Sequence, residues 1–271
     1  MSCSHLPILR KFNILLIEDN FSTLEAVQDM LDSSLLNIES AHSYAIARQR
    51  ILDSRVRWHC WVLDIDLGGN DNGLNLMREF SHFPFIIILS GLKNMHLASE
   101  AVRLGAVDVF DKSPSTSLSS LTDTVFRTAV LGYLLNGKGS DHLPTFMALK
   151  NHVFSSVPDW AQHSCLSIRY LERICTIHFG LSPRHVLSLY YFLLSSIYLL
   201  ENGNGLKEFR KLYDLNERTY FRHCAKFVIE HHASTYHFIR FSHELFRKIR
   251  HALRSVSVET KDTLLHAGKG G

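Results

Sequence analysis

Cysteine is scarce in this chain. Five residues (Cys3, Cys60, Cys165, Cys175 and Cys224) are scattered through 271 positions, odd in number and without a CxxC pair. A disulfide framework and a cysteine zinc site are therefore disfavoured, and a reducing compartment is expected. Proline and glycine are also few, at 6 and 14, which excludes collagen-like and low-complexity chains. No apolar run is long enough for a bilayer. The longest, Val186 to Leu200, covers 15 residues and holds three serines, against the roughly 20 apolar residues that a span requires. No basic-apolar-small segment opens the chain, so no secretory signal is expected. These absences lead to the expectation of a cytoplasmic, soluble protein without a membrane partner. Walker A, GxGxxG, HExxH and Cys2His2 patterns are missing as well. Nucleotide-driven and zinc-dependent chemistry thus lack a sequence basis, and no enzymatic output is expected. The seventeen histidines, including His231, His232, His237 and His243, are read as surface and core residues.

What is present describes a globular chain of two parts. The composition is 46% hydrophobic, 20% charged and 11% aromatic, and the length corresponds to two domains at ~150 residues each. Charge divides unevenly between the parts. Residues 1–136 carry 11 Lys and Arg against 15 Asp and Glu, a balance of −4. Residues 137–271 carry 18 against 11, a balance of +7. Uneven scatter alone can give a few units, but an acidic front and a basic rear suggest different partners for each. The break falls at the polar, glycine-containing run 136–141, which reads as a linker.

The front half alternates strands and helices. Phe12–Ile17, Trp61–Leu63 and Phe85–Leu89 are compact apolar runs, and Ala106–Phe110 is a weaker one. Helical stretches are read at Thr23–Asp32 and, closing the domain, Leu118–Leu135. Apolar strands with helical crossovers indicate a parallel sheet covered on both faces, with its functional crevice at the carboxyl ends of the strands. Polar residues stand just past each strand: Glu18-Asp19, then Asp64 and Asp66, then Ser90, then Asp111-Lys112. A single acidic residue in such a place is often only a helix cap. Several carboxylates converging on one crevice repel unless a hard cation neutralises them, and Mg2+ is the natural occupant. One carboxylate can then act as a nucleophile on a phosphoryl group, with lysine as a point charge for its oxygens.

The stretches ILLIEDN (14–20), WVLDIDLGG (61–69), FIIILSG (85–91) and LGAVDVFDKSP (104–114) resemble the receiver domain of bacterial two-component response regulators. The resemblance covers residues 11–136 and implies a doubly wound α/β fold with a parallel five-stranded sheet. It implies Glu18 and Asp19 as Mg2+ ligands with the backbone carbonyl of Asp66, and Asp64 as both ligand and phospho-acceptor. It further implies Ser90 and Lys112 as phosphate-facing groups, and Ser90 with Phe110 as switch residues. A sensor histidine kinase is the implied partner. Ser113 intervenes before Pro114, where the family places proline directly after the lysine.

The rear half reads as helices only. Leu166–Arg173 and Leu215–Arg222 match at Leu166/Leu215, Arg169/Arg218 and Arg173/Arg222 when shifted by 49 residues. Ser167 and Asn216 are suitable N-caps, so each segment starts a helix. In the second copy, Arg218, Arg222 and Lys226 fall on one face. Such a stripe on a lone helix is ordinarily a solvated surface. Two copies in a domain of net +7 favour a pair of helices reading DNA. Between them Ser182-Pro183 opens an apolar helix running to Glu201. At ~1.5 Å per residue it spans about 28 Å, close to the ~34 Å between successive major-groove faces.

This arrangement is similar to the AraC/XylS family of transcription regulators over residues 160–240, on CLSIRYLERICTIHFGLSPR (165–184) and LKEFRKLYDLNERTYFRH (206–223). The resemblance implies an all-α double helix-turn-helix domain. It implies Arg169, Arg173, Arg218, Arg222 and Lys226 as DNA contacts, promoter DNA as partner, a homodimer, and RNA polymerase as a further partner. Asp214 stands where that family has a turn glycine, and 229–240 replaces its Gly-x-Ser-Pro signature. The expected layout is a receiver at 1–136, a linker and lead-in helix at 137–155, an AraC-like domain at 156–255 and a flexible tail at 256–271. The expected function is a phosphorylation-controlled transcriptional regulator. The alternative is a phospho-receiver adaptor whose divergent helical domain binds a protein.

Overall fold

The computed structural model describes residues 12–202 apart from 34, 69–71, 92–94 and 113–117. Arg218, Arg222, Lys226 and the expected tail lie outside the described residues.

Five strands form one parallel sheet in the order β2-β1-β3-β4-β5. They are β1 (Phe12–Ile17), β2 (Leu36–Ala41), β3 (Cys60–Asp64), β4 (Ile86–Ser90) and β5 (Asp108–Asp111). The central strands are largely apolar because helices cover both faces, and every residue of β3 is buried. The helices between them are α1 (Phe21–Met30), α2 (Tyr44–Leu52), α3 (Gly73–Glu79), α4 (Met95–Arg103) and α5 (Leu118–Leu134). Side-chain oxygens start three of these helices: Asn20 accepts from the Thr23 amide, Ser43 from Ile46 and Asn72 from Asn75. Each satisfies an amide that the helix itself leaves unpaired.

Two elements differ from the sequence expectation for definable reasons. The sheet-edge strand β2 (LNIESA) is buried only at its two ends, so it lacks the apolar run that marks the central strands. The fourth expected strand begins at Asp108 rather than Ala106. Residues 104–106 are taken up by the C-terminal turn of α4, where Ala106 N donates to Ala101 O and Gly105 sits at φ +95.

The helical region opens with α6 (Leu143–Asn151), α7 (Val157–His163) and α8 (Ile168–Phe179), and α9 (Pro183–Asn202) comes after them. Ser167 caps α8 as expected, and Gly180 ends it at φ +66. Pro183 opens α9, as its fixed φ suits. By compactness the chain divides after Val186. In the unit up to Val186, the run 137–139 lies against the sheet domain: a Cβ on Gly137 would come within 3.1 Å of Trp58 O, and one on Gly139 within 3.2 Å of His82 O. Among the described residues no helix is long and apolar enough to cross a membrane.

Candidate functional site

Strand register brings the acidic residues together. Ile17 pairs with Leu63, Asp64 with Leu89 and Ser90 with Asp111, so the residues ending β1, β3, β4 and β5 share one edge of the sheet. Asn20, not Asp19, caps α1, and the capping explanation for the acidic pair therefore fails here. Carboxylate oxygens of Glu18, Asp19 and Asp64 all lie within 4.8 Å of one another. Glu18 is 1% exposed and Asp64 3%.

Lys112 enters from the end of β5. Its backbone N–H donates to Ser90 O at 3.0 Å, and its ammonium donates to Asp64 Oδ2 at 2.6 Å and Glu18 Oε1 at 2.9 Å. The second oxygen of Asp64 accepts from the Asp66 amide at 3.2 Å. Burial pushes the Glu18 carboxyl up to about 7, reinforced by the Asp64 charge and opposed by Lys112. Asp64 is raised for the same first reason, again against Lys112. Burial alone would lower the Lys112 ammonium, but its bonds to the two carboxylates outweigh burial and raise it.

One ammonium thus serves two buried carboxylates, with a third beside them. Three carboxylates therefore face one ammonium, while burial is the main reason that Glu18 is raised. Glu18 Oε2 is buried with no hydrogen-bond partner in donor geometry, although Lys112 lies 2.7 Å away. Hard oxygen donors with an unspent lone pair fit the Mg2+ ion expected from the sequence.

The remaining expected residues fall around this centre. Asp66 is exposed just past β3 and bridges to Asn72. Ser90 ends β4 half-buried, with its hydroxyl 3.5 Å from Gly91 O. Phe110 is half-buried in β5. Two glycines escaped the sequence reading. A Cβ on Gly73, where α3 starts, would stand 2.2 Å from Asp64 O, and one on Gly68 (φ +74) would stand 3.2 Å from Asp19 Oδ2. The backbone beneath Asp64 closes only because Gly73 has no side chain, and Gly68 holds a left-handed φ that other residues rarely adopt. A glycine-rich run after Asp64 was legible, but which glycine bears on which carboxylate was not.

The basic residues of the first repeat lie elsewhere. Arg169 and Arg173 are exposed on α8, and the Arg173 guanidinium lies 4.6 Å above the Tyr170 ring. Buried Leu171, Ile174 and Cys175 occupy the opposite face. Helix α7 precedes at a short turn, with Trp160 and Ala161 buried. Ile177, one turn beyond Arg173, shares the outward arc with the arginines at 67% exposure.

Comparison with known proteins bears on the sheet domain. The family described as response regulator receiver domain matches residues 14–123. Among solved structures, a response regulator receiver domain protein from Clostridium thermocellum is 20% identical, with 46% of this chain and 98% of that chain covered at a TM-score of 0.41. The receiver domain of NtrX from Brucella abortus is 27% identical, with 43% and 97% covered at a TM-score of 0.38. The N-terminal signal receiver domain of a two-component system response regulator from Bacteroides fragilis is 20% identical, with 44% and 97% covered at 0.38. No curated protein matches the chain. The family match ends at residue 123, before the helical region.

Proposed function

With residues 14–123 a response regulator receiver domain, we propose that the chain is a phosphorylation-controlled regulator in which Asp64 takes a phosphoryl group and the helical region binds promoter DNA. A receiver is a signalling module rather than a classical enzyme, and it implies a histidine kinase as donor. The observation that carries the reading is the convergence of Glu18, Asp19, Asp64 and Lys112 at one edge of the sheet.

The chemistry is dictated by charge. A carboxylate oxygen of Asp64 attacks the phosphorus of a phosphohistidine; the new O–P bond forms as the P–N bond breaks, and the imidazole leaves. Lys112 already holds Asp64 and turns its ammonium toward the arriving phosphoryl oxygens. Ser90 supplies a hydroxyl from the neighbouring strand end, and Phe110 changes its burial with the move. Glu18, Asp19, Asp64 and the Asp66 carbonyl would hold Mg2+, which would supply countercharge for the carboxylates and the phosphoryl group. Labelling by acetyl phosphate with Mg2+ tests the site: incorporation of about one phosphoryl group is expected, and none in Asp64→Asn. Undiminished labelling of that variant would place the acceptor elsewhere.

For the output, α7, its turn and α8 support a helix-turn-helix of the AraC/XylS type, with Arg169 and Arg173 facing outward from the second helix. The second copy, with Arg218, Arg222 and Lys226, would double the contact on a homodimer, and RNA polymerase is the partner such a regulator addresses. One observation favours the adaptor reading instead. Ile177 is large, apolar and exposed one turn beyond Arg173 on the same arc, as suits a protein surface. Arginine pairing and the net +7 of residues 137–271 favour DNA.

A further inference from the structure

The strand that leads into Lys112 is held from outside the receiver. Strand β5 is four residues long, lies at the edge of the sheet and pairs only with β4. An edge strand with one neighbour is the least restrained in a sheet. At its carboxyl end Lys112 reaches Asp64 and Glu18. At its start, Asp108 Oδ2 accepts from Lys150 Nζ at 2.9 Å, and Lys150 Nζ also lies 3.5 Å from Val107 O. Lys150 belongs to α6, beyond the residues matched to the receiver family. Its side chain is only 5% exposed, whereas that of Asp108 is 43% exposed.

Helix α6 is fixed at both ends. Near its C-terminus, Arg127 of α5 donates to Lys150 O at 3.1 Å while pairing with Asp123. A cation there satisfies a carbonyl that the helix leaves open. Toward its N-terminus, fully buried Phe146 meets Phe179 of α8 at 4.8 Å between ring centroids, and Trp160 Nε1 donates to Thr145 O at 3.0 Å. His142, just before α6, meets the ring of Tyr170 at 5.6 Å, the same ring that underlies Arg173. One helix therefore touches both β5 and α8, through packed groups rather than through a flexible tether.

We propose that Lys150 is a positioning residue of the phospho-site: it fixes the start of β5, and with it Lys112, and thereby ties the phosphoryl state of Asp64 to the docking of α6 and the setting of α8. This rests on Asp64 as phospho-acceptor. In the arrangement seen, Lys112 bridges two carboxylates and α6 is docked. A phosphoryl group on Asp64 draws the Lys112 ammonium away from Glu18 and shifts β5. The buried Lys150 ammonium cannot follow an Asp108 carboxylate that moves, because an unpaired buried charge is costly. Docked α6 thus belongs to the unphosphorylated state, and by linkage its release favours phosphorylation.

Beryllofluoride with Mg2+, a stand-in for the phosphoryl group, tests this on the full chain. Fluorine NMR reads its binding at Asp64, and hydrogen exchange reads residues 143–151. In the wild type, exchange in 143–151 is expected to speed up on binding. In Lys150→Met the half-saturating beryllofluoride concentration is expected to fall by at least about fivefold, with 143–151 exchanging fast in either state. Asp108→Asn, at a half-exposed position where folding is little affected, should behave alike. A bound fluoride signal with unchanged exchange in 143–151 and an unchanged midpoint in both variants would overturn the joint alone. Absence of any bound signal in the wild type would overturn the phospho-acceptor and the joint together.

Discussion

Glu18 shows how a single side chain reports on its pocket. Its ordinary value of 4.5 is raised to about 7 by burial. The folded, metal-free protein therefore keeps a proton between these values that the unfolded chain has lost. The resulting stability is complete below about pH 4.5 and is lost as pH rises through about 7. His59 acts in the opposite sense. Burial lowers its imidazole to about 4, and its Nδ1 accepts from the Asn13 amide at 2.8 Å, so its contribution is present above the ordinary 6.5 and is lost toward acid. The difference in melting temperature between wild type and Glu18→Gln isolates the carboxyl. Without Mg2+ the wild type should lose ground to the variant from about pH 5 to pH 8. With Mg2+ the order should reverse at the upper end, since the ion needs the ionised carboxylate and must displace a proton to bind at lower pH. A pH-independent difference would show that Glu18 carries no shifted proton.

At the scale of elements, α8 holds the output question. Its inner face is fixed by Leu171, Ile174 and Cys175, and its outer arc mixes Arg169 and Arg173 with Ile177. DNA binding by this arc predicts a strong fall of affinity with salt, by a slope near −0.9 per phosphate neutralised. Arg169→Ala or Arg173→Ala should each weaken binding by about 1–3 kcal/mol if the residue reads a base, or flatten the salt slope by about one if it meets a phosphate. Ile177→Ser should then matter little. A protein partner reverses the pattern, with salt nearly irrelevant and Ile177→Ser the damaging change. Arg173 has a preset position over Tyr170, which lowers the entropy cost of using it.

For the whole molecule, the acidic and basic halves meet in one chain, and the input state must alter the output surface. Selection of duplex DNA from a random library by the full-length protein, with and without beryllofluoride, reads both at once. Two sequence elements about one helical turn apart are expected, with enrichment that changes on beryllofluoride addition. Enrichment in neither state would transfer the output to a protein partner.

The sequence by itself determined the pocket and most of the sheet. Glu18-Asp19, Asp64, Ser90 and Lys112 are legible because each comes directly after an apolar run, and a parallel sheet sends all its carboxyl ends to one edge. Short caps such as Ser167 and Pro183 are legible because their preference is local. Strand β2 was not legible, since an edge strand needs little apolar surface, nor was the start of β5, which the turn after α4 sets. Only the tertiary structure decided that Lys112 serves two carboxylates at once, that Gly73 lies beneath Asp64 O, and that the buried Lys150 ammonium pairs with half-exposed Asp108 42 residues earlier. Pattern registers which face of an element is apolar; it carries no record of which distant group a single polar side chain meets. That meeting depends on how helices seat on the sheet, and there the chemistry of this chain is fixed.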